Sequence, residues 1–198
     1  MYRKYVKSTA DFIFALFTIV LFLPAFLIII LLILIFDGFN PFFIQDRVGK
    51  DACSFRIYKF KTMNDKTDSE GKLLKEDLRV TPLGRILRQS GLDEIPQLFN
   101  ILKLEMSFIG PRPLPVYYID FEDELQCDRH RVLPGITGLA QITGRNSLKW
   151  TQKYRLDNYY IENQSFWLDF KILLKTILSS NGYDALNFEN VIPEKNAE

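Results

Sequence analysis

The sequence predicts an α+β fold: a mainly helical domain with a small β-hairpin, preceded by an N-terminal membrane helix and completed by amphipathic interfacial helices. Three observations lead to this prediction. Residues 12–36 form an uncharged apolar run, two short alternating segments surround a glycine-containing turn, and helical patterns fill much of the remaining chain. The 198 residues suffice for one domain and an anchor. We divide the chain into a membrane-embedded helix (1–38), a main domain (39–182) and a polar C-terminal tail (183–198).

The apolar run is long enough to cross a membrane. As a helix, residues 12–36 would extend about 37 Å at 1.5 Å per residue, whereas the hydrocarbon core is about 30 Å thick. Pro24 lies in the middle of the run, where a proline removes a backbone donor and kinks a helix. Basic residues flank both ends, although a spanning helix normally shows a one-sided bias. The segment is therefore either a spanning helix or a re-entrant helix, broken at Pro24, with both ends in the cytoplasm.

Short alternating segments predict the β-hairpin. Residues 42–45 and 54–60 are strand-like and surround a turn at 49–51. Residues 64–77 are polar and predict a loop, and the glycine-punctuated segment 134–146 predicts turns with a short strand. Helices are predicted, in chain order, over 82–89, 93–103, 149–163 and 165–180.

The last predicted helix is amphipathic. Its large apolar side chains lie on or near one face, and they are Phe166, Trp167, Phe170, Leu173, Leu174 and Ile177. Packing in the core explains this stripe as well as an interfacial position on the membrane does. Trp167, together with Lys171 and Lys175, favours the interface.

Charge and cysteine content exclude several function classes. The 25 Lys and Arg against 24 Asp and Glu leave a net charge of +1, so no nucleic-acid partner is predicted. Cys53 and Cys127 are too few for a disulfide framework or a zinc set, and reduced thiols are consistent with a cytoplasmic domain. His130 is the only histidine, which argues against a nucleophilic triad based on histidine.

The acidic pair Asp93 and Glu94 is the main candidate for chemistry. Asp93 can simply be a helix N-cap, and Glu94 a first-turn charge, because acidic residues are favoured at helix N-termini. Alternatively, an ionised carboxylate can attack phosphorus and form an acyl phosphate. Two adjacent carboxylates repel each other, and Mg²⁺ would relieve that repulsion and bind a pyrophosphate substrate. Asp93 and Glu94 are therefore the candidate catalytic residues and metal ligands.

Basic side chains supply candidate phosphate ligands. Arg112 lies between Pro111 and Pro113, which fix its backbone and pre-orient a guanidinium suited to phosphate. A rigid turn with an exposed arginine is the alternative. Further candidates, for each of which a solvated surface charge is the simpler explanation, are Lys59, Lys61, Arg85, Arg88 and Arg145.

Several motifs in a fixed order connect the chain to a known family. They are KFKTM from Lys59, LDEIPQLFN from Leu92, MSFIGPRP from Met106 and PGITG from Pro134. From Tyr2 to Ser180 the chain resembles the bacterial sugar transferases. More narrowly, it looks like a small monotopic phosphoglycosyl transferase, the kind that starts glycan assembly on polyprenyl phosphate.

The resemblance implies a reaction and the roles of three site residues. A sugar 1-phosphate would pass from a UDP-sugar to undecaprenyl phosphate, UMP would leave, and Mg²⁺ would be the cofactor. Asp93 would attack the β-phosphorus to form an aspartyl-phosphosugar intermediate, with Glu94 as the supporting carboxylate. Arg112 matches a Pro-Arg-Pro phosphate motif, and Lys59, Arg88 and Arg145 are the further phosphate-binding candidates.

The resemblance also implies a cellular setting. The main domain would be a catalytic domain on the cytoplasmic face of the bacterial inner membrane, attached through a re-entrant helix. The reaction would be the first membrane step of glycoconjugate biosynthesis, with downstream glycosyltransferases as possible partners. Relatives often have a serine before the helix-breaking proline, whereas this chain has Leu23. The break at Pro24 would therefore rely on the proline alone or on other partners.

Two functions from other classes remain open at this point. One is an anchored hydrolase of nucleotide-sugar diphosphates, in which water replaces the lipid acceptor. The other is a membrane-anchored scaffold that holds anionic lipids through Arg112 and its neighbours. The absence of a Walker-type glycine-lysine motif is consistent with a transferase, because that reaction exchanges one phosphoanhydride for another.

Overall fold

A computed structural model describes residues 2–38, 40–120, 122–144 and 147–179 of the chain. Arg145 and the tail 183–198 lie outside these residues, so the predictions made for them have no structural counterpart. Within the described ranges the fold is α+β, as predicted, with long helices at both ends of the chain.

The helices and the strands of the described residues are each numbered in chain order. The helices are α1 (Lys7–Leu32), α2 (Glu76–Arg79), α3 (Pro82–Ser90), α4 (Leu98–Leu102), α5 (Glu124–Cys127), α6 (Leu139–Thr143), α7 (Trp150–Asn163) and α8 (Phe166–Ser179). The strands are β1 (Phe42–Val48), β2 (Ser54–Phe60), β3 (Ser107–Ile109) and β4 (Gly135–Thr137). The predicted helices over 82–89, 149–163 and 165–180 are confirmed by α3, α7 and α8. The helix predicted over 93–103 is instead a 3₁₀ segment, Leu92–Gln97, followed by α4. Pro96, which lacks a backbone N–H, lies inside the tighter segment.

The hairpin is confirmed, and a second strand pair joins it. β1 and β2 are antiparallel, in register from Phe42 opposite Phe60 to Val48 opposite Ser54. β3 and β4 form a short parallel pair, of which only the strand in 134–146 was predicted. Gly135 is needed there, because an added Cβ would lie 2.1 Å from the backbone nitrogen of Gly110.

Pro24 does not interrupt α1. The α-helix is continuous from Lys7 to Leu32, so the predicted break is not an end of the element. A proline removes one helical hydrogen bond and crowds the carbonyl four residues earlier. The helix withstands this local loss because it packs against the main domain on both sides of the proline, through Ile19 on one side and Phe26 on the other.

Both ends of the N-terminal helix are attached to the main domain. Near the start, Lys7 Nζ lies 2.8 Å from Asp169 Oδ2. One turn later, the Ser107 hydroxyl donates to Asp11 Oδ2 at 2.7 Å. At the other end, Asp37 Oδ2 accepts a hydrogen bond of 3.0 Å from the Thr81 hydroxyl. The helix therefore runs along the domain instead of leading away from it.

The outward face of α1 is apolar and exposed. The segment Lys7–Asp37 is long and apolar enough to cross a membrane. Its most apolar stretch of 18 residues has a mean hydropathy of 3.5, and only 11% of that stretch is buried. Side chains such as Phe17 and Val20 are 63% and 66% exposed. An apolar surface of this extent is typical of a lipid interface.

The amphipathic helix α8 continues this apolar surface. Trp167 is 69% exposed and Ile177 is 61% exposed, whereas Ile172 on the other face is fully buried. The rings of Tyr2 and Phe166 meet edge to face at 6.3 Å, so the start of the N-terminal helix adjoins α8. The exposed stripe contradicts core packing of this face and supports the interfacial alternative.

Candidate active site

The backbone presents Asp93 and Glu94 from the short 3₁₀ segment between α3 and α4. Gly91 ends α3 in the left-handed conformation, at φ 71°, and turns the chain into this segment. Gly91 also occupies the N-cap position of the 3₁₀ segment, and no side chain caps it. The simple interpretation of Asp93 as an N-cap is therefore wrong. Ile95, the next residue, packs in both apolar clusters that include α1, so the acidic pair lies close to the membrane helix.

Glu94 is neutralised by two cations from different parts of the chain. Its Oε1 atom lies 2.5 Å from Lys59 Nζ of β2 and 3.1 Å from Arg112 Nη2 in the loop after β3. Burial raises the pKa of Glu94, but the charges of Arg112 and Lys59 outweigh it and leave the pKa below its ordinary value. Glu94 is therefore an ionised carboxylate that fixes two positive charges.

Asp93 has a different environment. Among the described residues, its carboxylate makes no hydrogen bond or ion pair, and the side chain is half-buried. Burial raises the pKa of Asp93 above its ordinary value against the opposing charge of Lys59, and the neighbouring charge of Glu94 adds to the rise. The two carboxylates thus differ: Glu94 is engaged, and Asp93 is available to a ligand.

The predicted basic residues divide into those near the dyad and those elsewhere. Lys59 and Arg112 contact Glu94, and Arg88 lies near enough to affect the pKa of Asp93. Arg88 is fixed by hydrogen bonds of 2.8 Å to the Thr62 hydroxyl and to Glu76 Oε1. Arg85 is exposed on α3, and Lys61 pairs with Asp65.

A buried ion pair, which the sequence analysis missed, supports Arg112 from behind. Arg129 Nη2 lies 2.9 Å from Asp157 Oδ2 of α7 and donates to the main-chain carbonyl of Arg112 at 2.6 Å. Both charged side chains are 4% exposed. The run Arg129–Arg131 gave no local sign of this role, because it reads as an ordinary basic surface segment.

A small cavity beside Glu94 brings together further polar side chains. It is lined by Arg47, Ile57, Lys59, Glu94, Gln97, Arg112, Pro113 and Gly135. Neither Arg47 nor Gln97 was predicted as a site residue. The position of Gln97 within the LDEIPQLFN motif could have indicated a role at the site. Arg47 stands out in the sequence only as one of the basic residues that follow the membrane segment.

An apolar cleft connects the dyad with the membrane helix. Its walls are Ile19, Phe22, Leu23 and Phe26 of α1 together with Ile95 and Phe99. Ile95 directly follows Glu94 in the chain. The site therefore has a cationic side and an apolar side that faces the lipid-exposed helix.

The acidic pair fits Mg²⁺ only as part of a shared site. The described residues contain no group of three His, Cys, Asp or Glu side chains able to hold a metal. Mg²⁺ is commonly bound by one or two carboxylates, with water and substrate phosphates completing its shell. Asp93, which has no partner among the described residues, and the second oxygen of Glu94 suit that kind of binding.

Comparisons with known proteins show which sequences the chain resembles. The family profile described as bacterial sugar transferase matches residues 2–181. The chain is 47% identical over 153 residues to the uncharacterized sugar transferase EpsL of Bacillus subtilis (strain 168), covering 76% of each chain. It is 36% identical over 188 residues to the exopolysaccharide production protein ExoY of Rhizobium meliloti (strain 1021), covering 86% of this chain and 83% of ExoY.

A longer relative has a name that specifies a reaction. The UDP-N-acetylgalactosamine-undecaprenyl-phosphate N-acetylgalactosaminephosphotransferase of Aeromonas hydrophila is 39% identical over 181 residues. The match covers 87% of this chain and 43% of that protein.

Proposed function

Because the chain belongs to the bacterial sugar transferase family, we propose that it transfers a sugar 1-phosphate from a UDP-sugar to undecaprenyl phosphate and releases UMP. The protein is thus an enzyme of the transferase class. The name of the Aeromonas relative, which specifies a UDP-sugar and undecaprenyl phosphate, supports this reaction. The structural observation that carries the proposal is the unequal dyad, in which Glu94 holds two cations beside an Asp93 without a partner among the described residues.

In the first step, Asp93 acts as the nucleophile. A carboxylate oxygen attacks the β-phosphorus of the UDP-sugar and forms an acyl phosphate. The bond from that phosphorus to the bridging oxygen breaks, and its electron pair leaves with UMP. The half-buried carboxylate supports this role, because it has no hydrogen bond or ion pair to lose among the described residues.

In the second step, an oxygen of the polyprenyl phosphate attacks the same phosphorus. The bond from phosphorus to the Asp93 oxygen breaks, which restores the carboxylate and yields a polyprenyl diphosphosugar. One phosphoanhydride replaces another, so no further energy source is required. Two successive displacements allow one carboxylate to serve a soluble donor and a lipid acceptor in turn.

Glu94 and the nearby cations stabilise the charge on the transferred group. The ion pairs of Glu94 hold Lys59 and Arg112 in place before any substrate binds, and such preorganised charges lower the barrier for phosphoryl transfer. Arg88 supplies a third positive charge near Asp93. These three side chains are the proposed phosphate ligands.

We propose Mg²⁺ as the cofactor, held by Asp93 and Glu94. When bound, the ion would supply charge neutralisation for the substrate phosphates. The adjacent carboxylates support this proposal, because both lie in one turn of the chain.

The acceptor would reach the dyad from the membrane side. We infer that the apolar cleft between α1 and Phe99 takes the isoprenoid chain next to the phosphate, since its described walls are apolar and Ile95 joins them to the dyad. The attachment of both ends of the N-terminal helix, Lys7–Asp37, to one domain supports a re-entrant helix. Basic flanks on both sides of the helix favour the cytoplasmic face of the inner membrane. The product there would be a substrate for downstream glycosyltransferases.

The test is UMP release from a panel of UDP-sugars by the full chain in detergent with Mg²⁺, with and without undecaprenyl phosphate. UMP release that requires the lipid, with one sugar preferred, is the expected result. UMP release that ignores the lipid would establish the hydrolase instead. No release from any donor, together with no binding of UMP, would reject the enzyme in favour of the lipid-binding scaffold.

A further inference from the structure

Two buried nitrogen donors in the cavity beside Glu94 lack a partner among the described residues. They are Arg47 Nε and Gln97 Nε2. Gln97 is only 2% exposed, so bulk water does not solvate its amide. Buried donors without an acceptor are unfavourable and rare, and such a pair at one cavity indicates a group that binds there.

The charge of the cavity shows what kind of group fits. Three cationic side chains line it (Arg47, Lys59 and Arg112), and Glu94 is the only carboxylate among the lining residues. Burial lowers the pKa of Arg47, and the nearby charge of Arg112 lowers it further. The two guanidinium groups therefore repel each other in a partly buried place, and an anion bound between them would relieve that repulsion.

The two terminal guanidinium nitrogens of Arg47 hold its side chain in place. Its Nη1 donates to the Pro113 carbonyl at 3.1 Å, and its Nη2 donates to Gln45 Oε1 at 2.6 Å. The side chain is thereby fixed at two points, and Nε is a buried donor without a partner among the described residues. Such pre-positioning of a guanidinium suits phosphate recognition.

Resting on the proposed function, we propose that Arg47 and Gln97 form a second phosphate subsite, which binds the phosphate that leaves the donor as part of UMP. Lys59 and Arg112 would then hold the transferred phosphate next to Asp93, and the pair Arg47 and Gln97 would hold its neighbour. The diphosphate of the donor would lie across both groups.

Exposed aromatic side chains near Arg47 indicate that a nucleotide uses this subsite. Arg47 forms a backbone bridge with Pro115, immediately before the short 3₁₀ turn Val116–Tyr118. Tyr117 is 75% exposed, and Tyr118 stacks with Trp150 at a centroid distance of 6.0 Å. Exposed rings offer a stacking surface to a base. The apolar cleft assigned to the acceptor shares no lining residue with this cavity.

The test measures equilibrium binding of UMP to the full chain in detergent, without donor or acceptor. The variants are Arg47→Gln, which removes the charge and the Nε donor, and Gln97→Glu, which places a carboxylate against the phosphate. Arg56→Gln is the matched control, because Arg56 lies on the same hairpin with a side chain that is 73% exposed. We expect the Kd for UMP to rise about tenfold or more in both site variants, which corresponds to about 1.4 kcal/mol, and to stay within about twofold in the control.

A second measurement tests whether the acceptor phosphate uses the same subsite. In the two in-line displacements, the leaving UMP phosphate and the attacking lipid phosphate both lie opposite the Asp93 oxygen, so the subsite would receive them in turn. The kcat/KM for undecaprenyl phosphate should therefore be lower in Arg47→Gln than in Arg56→Gln. A fall in that kcat/KM with no change in UMP affinity would assign the cavity to the acceptor alone and overturn the proposal. Equal UMP affinity in all variants would reject the subsite altogether. If Arg47→Gln fails to fold, as judged by its thermal unfolding midpoint, Gln97→Glu decides, because it leaves the hydrogen bonds of Arg47 in place.

Failure of the subsite and failure of the proposed function give different results. UMP binding needs no turnover, so a loss of affinity in Arg47→Gln would stand even if the wild-type chain used no UDP-sugar. Conversely, lipid-dependent UMP release by the wild type with unaltered UMP affinity in Arg47→Gln would reject only the subsite.

Discussion

Arg129 donates a hydrogen bond of 2.6 Å to the main-chain carbonyl of Arg112, which connects a buried ion pair with the proposed phosphate ligand. Burial raises the pKa of Asp157 to about 6 in spite of its contact with Arg129, so desolvation outweighs the attraction between the two charges. A buried pair of this kind is weak evidence for a stabilising role. We therefore attribute its role to the position of the Pro-Arg-Pro loop.

The double variant Arg129→Met/Asp157→Leu tests this positioning role. We expect its free energy of unfolding to equal or exceed that of the wild type, by up to about 4 kcal/mol, because apolar replacements of buried pairs avoid desolvation. Turnover should fall about tenfold or more, since the carbonyl of Arg112 loses its donor and the guanidinium shifts. Thermal unfolding and UMP release measure the two effects separately.

The same variant should change the pH dependence of stability. The pKa of Asp157 is higher in the folded chain than its ordinary value of 3.8, so its contribution to stability is complete below about pH 4 and is lost as the pH rises through about 6. The double variant should lack this part of the pH dependence. Wild-type turnover in the double variant would show that the pair does not position Arg112.

Asp93→Asn tests the nucleophile. We expect turnover to fall by a factor of about 10³ or more, because an amide cannot form the acyl phosphate. Folding and membrane association should be unchanged. Mass spectrometry of protein mixed with the donor alone should detect the phosphosugar adduct on the wild type and not on the variant. Asp77→Asn, at an exposed residue of α2, is the control, and retained activity in Asp93→Asn would remove the nucleophile assignment.

The sequence predicts those features that local patterns encode. The hairpin follows from alternation, and α3 begins where Thr81 accepts a hydrogen bond of 2.9 Å from the Gly84 backbone, just before Pro82. The dyad and Arg112 were found through their motifs. Arg129 and Arg47 were missed, because their partners Arg112 and Pro113 are 17 and 66 residues away in the chain. No local periodicity reports such contacts. The continuity of α1 through Pro24 also depends on packing against distant residues, which the proline alone does not indicate.

The pH dependence of catalysis should report the raised pKa of Asp93. A protonated carboxyl cannot attack phosphorus, so kcat/KM for UMP release should fall in acid. Because burial raises this pKa, the fall should begin at a higher pH than for an ordinary aspartate, whose pKa is about 3.9. Lys59→Met removes the main opposing charge and should move the acid limb further upward. Lys72→Met, at an exposed loop residue, is the control, and an acid limb that is equal in the two variants would contradict this account.

The two tryptophans can test whether α8 lies at the membrane interface. Trp167 is 69% exposed on α8, and Trp150 is 46% exposed beside Tyr118. In vesicles that contain brominated lipids, the Trp150→Phe protein, which retains Trp167, should show strong quenching of its fluorescence. The Trp167→Phe protein should show weak quenching, because its remaining ring, Trp150, begins α7 and stacks with Tyr118 instead of lying on the exposed stripe of α8. Equal quenching in the two proteins would contradict the interfacial assignment.

Because both ends of the N-terminal helix are attached to the main domain, we expect them to lie on the same side of the membrane. After Cys53 and Cys127 are replaced by serine, single cysteines are introduced as Arg3→Cys before the helix and Asn40→Cys after it. Both should react with a membrane-impermeant maleimide in inside-out vesicles and be protected in intact cells, because a re-entrant helix keeps its two ends on one face. Asp77→Cys marks the side of the main domain. Labelling of Arg3→Cys in intact cells, with Asn40→Cys protected, would establish a spanning helix and would require the contact between Lys7 and Asp169 to be absent in the membrane.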